Sequence, residues 1–411
     1  MLVWTLSILF IGAANPCFAA DWPQWQGPNR DGRSTETGLL RSWPEGGPAL
    51  LATIDGLGRG FAQPCVVSGK IYTTGKVGED LILFCFDVNG EKIWQLKVGP
   101  ESNAQPSGSR STPTIQGGRL YVLSGVGDLV AYDVATEESI WRVNVPERFG
   151  AKVPTYGYAE SVLIDGDQLI CAPGGPGAVV AALNKNTGET IWTTKGDEGE
   201  EGATYSSAIV FDYEGLRQIS IMSHLALLGV AEEDGRLLWR YDRPRAEQNC
   251  STPVFFTGYV FAATGYGTGG GAVKLTVRDG EVEAKQMWET KEMKAHHGGY
   301  VLVDGYIYGN NDSEGWTCIE LATGKVTYKA KGVGKGSIAY ADGMLYTLSE
   351  NGKMGLAPAN PLEHKIVGEF MIPNAGGETW AHPVIADGKL FLRRHEQIFI
   401  YDVKDRTKEV Q

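Results

Sequence analysis

Residues Ser109 to Pro146 read SRSTPTIQGGRLYVLSGVGDLVAYDVATEESIWRVNVP, and the spacing of turns and apolar residues in this stretch decides the fold. Turn residues fall at Gly117-Gly118 and Gly125-Val126-Gly127, and Leu120, Val122, Leu129, Ala131, Ile140 and Trp141 supply apolar side chains around them. This punctuation predicts four short strands: one after Thr112-Pro113, then Arg119 to Ser124, Asp128 to Asp133 and Ser139 to Val145. A single such sheet leaves both of its faces in water, so it needs copies of itself on either side.

The copies are present. The run AYDVATEESIW, Ala131 to Trp141, returns as ALNKNTGETIW ending at Trp192, GVAEEDGRLLW ending at Trp239 and CIELATGKVTY ending at Tyr328, with CFDVNGEKIW ending at Trp94 one residue shorter. Each copy begins on a small residue where sheets approach closely, passes an acidic or amide group and a turn, and ends on a large ring, which is expected to pack between neighbouring sheets. The docking positions are Trp94, Trp141, Trp192, Trp239, Trp288 and Tyr328, at intervals of about 40 to 51 residues. A second signature starts the units at Gln63-Pro64, Thr112-Pro113, Thr252-Pro253 and His382-Pro383. Proline suits the first residue of a strand, where no ladder donor is lost.

Units open near Phe61, Ser111, Ala159, Ser206, Ser251, Gly299, Ser337 and Ala381, which gives eight. The repeat length is that of a four-stranded propeller blade. The fifth and seventh units are interrupted by Gly265 to Gly271 and by Pro358 to Pro361, so seven blades is the alternative count. Leu50 to Ile54 looks like a final strand without its first three, and Trp380 to Lys404 supplies three strands without a fourth. The two ends therefore complete one sheet, and the expected fold is an all-β, eight-bladed β-propeller of antiparallel blades closed by an N-terminal strand.

This places the propeller at residues 49–406. Residues 20–48 are rich in Trp, Pro and Gly and have no strand period, and Trp22, Trp25 and Trp43 are expected to pin them against the ring. Residues 1–19 read as a secretory signal: Leu2 to Ala14 are apolar, and Cys17-Phe18-Ala19 forms a small-residue end, although no basic residue leads the run. The run is shorter than the ~20 residues of a membrane span. An exported monomer, periplasmic or extracellular and with no span in the mature chain, is expected. A net charge of −12 argues against nucleic acid as a partner.

Five cysteines lie outside the signal, without CxxC or CxxCH spacing, so neither a zinc knuckle nor covalent haem is encoded. Cys85 and Cys318 hold the small-residue position of the repeat and are read as buried packing. Gly265 to Gly270 fits GxGxxG in form, but the alternating sequence after it opens no helix, so the segment is read as a long turn. No GxSxG elbow is present.

The run ending in Trp, repeated around a ring, resembles the repeat of the pyrroloquinoline quinone (PQQ) family of propellers. That family includes quinoprotein alcohol dehydrogenases and the BamB-like propeller of outer-membrane assembly. The opening DWPQWQGPNRDG resembles the start of secreted bacterial members. The resemblance implies the fold strongly and an activity weakly, because the repeat is a packing device. In quinoprotein dehydrogenases it implies adjacent cysteines over the quinone, a calcium ion and an aspartate base. No Cys-Cys pair exists here, and only Glu160 and Asn249 stand where calcium ligands could.

The expected role is therefore binding or scaffolding, of a protein segment or a small polar ligand such as a sugar, with no cofactor assured and no catalytic residue or metal site assigned. A PQQ- and calcium-dependent alcohol or polyol dehydrogenase is the alternative. The leading ends of innermost strands converge on the centre of a propeller, so Arg59, Arg110, Tyr158, Glu160, Asn249, His296, His297, Trp380 and His382 are expected at one central mouth.

Overall fold

The computed structural model describes residues 21–196, 201–373 and 377–408. The secretory-signal reading of residues 1–19 lies outside them. Among the described residues thirty-two strands form eight four-stranded sheets, seven of them continuous in sequence. Blade 1 runs outward as Cys65–Val67, Lys70–Val77, Asp80–Asp87 and Lys92–Pro100. Blade 2 is Thr114–Gln116, Arg119–Leu123, Asp128–Asp133 and Ser139–Asn144, within a residue or two of the strands expected from sequence. The innermost strands of blades 3 to 7 are Leu163–Asp165, Ile209–Tyr213, Val254–Phe256, Tyr300–Val303 and Gly336–Ala341.

Blade 8 is built from both ends of the chain. Val384–Ala386, Lys389–Arg394 and Gln397–Asp402 are joined by the outer strand Leu50–Ile54, which pairs antiparallel with Gln397–Asp402. The count is thus eight, and the interruptions in the fifth and seventh units fall within intact blades. Gly265 to Thr268 is a turn, and Gly269 and Gly270 already belong to the strand Gly269–Arg278.

Burial is divided among eight apolar clusters, one between each pair of neighbouring blades. Between blades 2 and 3, for example, Tyr121, Leu123, Leu129 and Ala131 meet Val162, Ile164, Leu169 and Leu183. Cys65, Cys85 and Cys318 are fully buried in such layers. The docking rings sit on the outer strands, and several lie on a glycine of the following blade. The indole N–H of Trp141 donates to Lys185 O (2.9 Å), that of Trp192 to Glu232 O (3.0 Å) and that of Trp288 to Leu321 O (2.8 Å). Each of these rings covers the turn glycine of the next repeat, Gly188, Gly235 or Gly324, where any Cβ would strike the indole. Trp239 departs from the rule and donates instead to Gln218 Oε1 within its own blade (2.9 Å).

The Trp-rich N-terminal segment runs through the centre of the ring and touches all eight blades. Trp22 bridges Val66 in blade 1, Pro23 O accepts from Ile115 N in blade 2 (2.9 Å), and Trp25 Nε1 donates to Thr252 in blade 5 (2.8 Å). Arg30 donates to Ser161 O (2.6 Å), Val162 O (3.1 Å) and Ala208 O (2.6 Å), tying blades 3 and 4. Arg33 reaches Leu302 O in blade 6 (3.4 Å), and Gly32 and Ser34 pair with Tyr340 in blade 7. The Glu36 carboxylate accepts from Asp387 N (2.7 Å) and Gly388 N (2.9 Å) in blade 8. Trp22 and Trp43 are buried, as expected of pins.

Candidate functional site

Above this central strap lies a cavity of ≈ 250 Å³. Trp25 is its floor, because the strap fills the channel below: the indole rests edge-on against His382 (4.7 Å between centroids) and is fixed by Thr252. The site is therefore a blind cup. Its walls come from the leading ends of innermost strands and the loops before them. Phe61 belongs to blade 1, Gln105, Pro106 and Arg110 to blade 2, Tyr156 to blade 3, Tyr205 and Ser207 to blade 4, Gln248 and Cys250 to blade 5, His296 and His297 to blade 6, and Trp380 to blade 8. Tyr266, from the turn in blade 5 that carries the glycine-rich motif, completes the rim.

The rings stand in groups. Phe61 lies 4.7 Å from Trp380, which lies 5.3 Å from His297; Tyr266 meets His296 at 4.7 Å; Tyr156 and Tyr205 are 5.8 Å apart. Hydrogen bonds hold them: Trp380 Nε1 donates to Glu350 Oε1 (3.1 Å), and Tyr205 OH accepts from Tyr156 N (3.2 Å) and donates to Glu247 (2.9 Å). Burial, reinforced by the nearby Lys335 ammonium, pulls His296 down to about 4. His297 is pulled well below 6.5 by burial and by His296 and Lys335, so both imidazoles are neutral at pH 7 and can donate or accept. Burial pushes the Cys250 thiol up to about 12, which removes it as a nucleophile near neutral pH.

Of the nine positions expected at the mouth, Arg110, His296, His297 and Trp380 line the cup. His382 lies behind the wall, its Nε2 donating to His297 O (2.8 Å). Tyr158, Glu160 and Asn249 turn into the blades. Tyr158 OH donates to Pro173 O (3.0 Å), Glu160 accepts from Ala172 N (2.8 Å), and Asn249 donates to Ser223 O (2.7 Å) and accepts from Thr264. Arg59 points away, towards Glu396 (3.8 Å). Gly157, at φ 77°, turns the chain between Tyr156 and Tyr158, so strand alternation does not carry from one ring to the other. Trp25, Phe61, Tyr156, Tyr205 and Tyr266 had no place in the sequence-based site. Phe61, Tyr156 and Tyr205 are signalled only as rings ahead of innermost strands, whereas Trp25 lies in the N-terminal segment and Tyr266 in a turn within blade 5.

The calcium of a quinoprotein site does not fit these residues. Such an ion wants six or more oxygen ligands. The Asn249 amide is turned into the blade, its Nδ2 donating to Ser223 O and its Oδ1 accepting from Thr264, and the Glu160 carboxyl is buried, held up to about 7 by desolvation despite Ala172 N–H and Arg30. Among the described residues no cluster of three or more His, Cys, Asp or Glu could hold a metal ion.

Fold and cup together define the class: an eight-bladed propeller of PQQ-type repeats. Residues 55–330 match the family described as outer membrane protein assembly factor BamB, and the chain belongs to that family. Solved structures that it resembles include BamB from Moraxella catarrhalis, with 12% identity over 86% of this chain and 99% of that one, at a TM-score of 0.62. The quinohemoprotein alcohol dehydrogenase ADHIIG from Pseudomonas putida HK5 shares 15% identity over 94% of this chain and 80% of its own (TM-score 0.65). The quinohemoprotein alcohol dehydrogenase from Comamonas testosteroni shares 13% over 94% and 81% (TM-score 0.61). No curated protein sequence matches the chain. No helix among the described residues is long and apolar enough to cross a membrane.

Proposed function

We propose that this chain is an exported binding protein whose central cup takes one small, ring-shaped polar ligand such as a monosaccharide. The observation that carries this reading is the strap: by filling the channel it turns a through-hole into a cup with an indole floor. Aromatic faces at the floor and around the walls give flat apolar platforms, and Gln105, Gln248, Ser207 and the two neutral imidazoles add directed hydrogen bonds. Apolar walls with a few placed polar groups are the usual make-up of a small-molecule site. Family membership does not decide the matter, because the fold is shared with an assembly factor and with dehydrogenases. Export rests on the apolar run in residues 1–19 and on the family.

The test uses the cup's own indoles. Titration with a panel of hexoses should quench or shift the tryptophan emission saturably. Trp380→Ala should weaken that binding by about tenfold or more, the equivalent of ~1.4 kcal/mol for one lost platform. Saturable binding that Trp380→Ala leaves unchanged would move the site out of the cup.

A further inference from the structure

Resting on the sugar-cup reading, we propose that the ligand is a monosaccharide acid, whose single carboxylate is received by Arg110. Among the described residues that line the cavity, Arg110 is the one cationic side chain. Its guanidinium lies against Phe61, 5.6 Å from the ring centroid, and is fixed from behind by its own loop: Nη1 donates to Gly108 O (2.9 Å) and Nη2 to Pro106 O (2.6 Å). A guanidinium has five N–H groups in a rigid fork, so others remain to meet a ligand. Among the described residues no carboxylate lies within ion-pair distance of it. Glu101 is the acid whose charge it feels, and that carboxylate already accepts from Ser102 N (2.6 Å) and Gly125 N (2.9 Å).

The other charges near the cup are compensated or lie outside its lining. Lys335 is paired with Asp312 (2.9 Å) and approaches Glu350 (3.6 Å) behind the histidines. A preorganised, partly desolvated cation beside aromatic platforms is unfavourable when empty and favours a ligand that brings one negative charge. One charge matches a carboxylate better than a phosphate dianion. The geometry of the rest of the cup suits the ring: a flat face on an indole and hydroxyls toward Gln248, His296 and His297.

The experiment compares D-glucuronate, D-glucose and D-glucose 6-phosphate on the intact mature chain by calorimetry, at fixed ionic strength. Glucuronate should bind about tenfold or more tighter than glucose, as a charge-assisted pair in a desolvated site requires. In Arg110→Gln the ratio of the two affinities should fall towards one. The comparison on the parent protein stands alone if that variant fails to fold. Glucose and glucuronate binding equally would overturn the acid assignment and leave the cup reading intact, and so would glucose 6-phosphate binding tightest. If none of the three binds, both readings fall.

Discussion

Arg30 shows how much of this molecule rests on single buried groups. It is about 2% exposed, and its guanidinium reaches the carbonyls of Ser161, Val162 and Ala208 and the side chain of Gln24. Desolvation lowers it to about 10, still charged at pH 7, and Glu160 is the acid whose charge offsets that loss. Arg30→Ala would leave several buried acceptors unpaired at once, so a loss of at least about 3 kcal/mol in urea unfolding is expected. A loss under 1 kcal/mol would mean that water replaces the side chain. The histidines set a pH response. All six are held below 6.5, His382 to about 4, chiefly by burial. Between pH 6.5 and about 4 the unfolded chain binds protons that the folded chain refuses. Stability from this source is therefore complete above 6.5 and falls with acidification. Glu160, held up to about 7, acts in the opposite sense over the upper part of that window, and Asp31, Glu101 and Glu232, raised chiefly by burial, add to it; these four carboxylates stand against six histidines. In His382→Gln the stability lost between pH 7 and 4.5 should shrink by about 2–3 kcal/mol relative to the parent. An equal loss in both would show that His382 is solvated when folded. Neither residue was legible in its role from sequence: Arg30 lies in a segment without periodicity, and nothing in the chain marks His382 as lying behind the cup rather than in it.

Among the elements, the blades were legible almost to the residue and the loops between them were not. A strand of alternating residues closed by Asp-Gly or Gly-Gly announces its face and its end, so Arg119–Leu123 and Asp128–Asp133 could be placed from the sequence. The segments that line the cup are not strands, and period two says nothing about where Tyr156 or Gln105 points. The docking ring is the exception that links sequence to packing. Trp141 stacks over Gly188, whose φ of 73° favours glycine and whose Cβ would lie 2.8 Å from the indole. Trp141→Ala should therefore cost about 3–5 kcal/mol by thermal or urea unfolding. Gly188→Val should destabilise as well, because it adds both backbone strain and a clash at the same contact. The double variant should lose less than the sum of the two single losses, since removing the ring relieves the clash. Strict additivity would mean that ring and glycine do not touch. Trp239 serves as the internal contrast. Its partner is Gln218 in its own blade, so Gly280, the turn glycine between Gly269–Arg278 and Glu281–Thr290 in blade 5, with φ 82° and open space around its Cβ position, should tolerate Ala at the expense of backbone strain alone.

At the scale of the whole molecule, the chain is closed twice by its N-terminal part, and the two closures have different consequences. Leu50–Ile54 supplies the outer strand of blade 8, with Ala52, Thr53 and Ile54 opposite Ile400, Phe399 and Ile398. Residues 21–36 then thread the centre and bond to every blade. The first closure was legible because a lone final strand at one end matched three unfinished strands at the other. The second was not, because a plug has no repeat to betray it. Deleting residues 49–56 removes the outer strand, exposes the edge of Gln397–Asp402 and opens the path for pairing with other chains. Insolubility or a large fall in melting temperature is expected. Deleting residues 21–36 while keeping 49–56 leaves all eight sheets complete but takes away the cup's floor and the ties of Arg30. That protein should remain soluble and melt cooperatively at a lower temperature, and it should lose hexose binding altogether. Separate melting and binding measurements on the two deletions distinguish the roles. If the strap deletion kept its affinity, Trp25 would not be a floor; if the strand deletion melted within a degree or two of the parent, closure by Leu50–Ile54 would not hold the ring together.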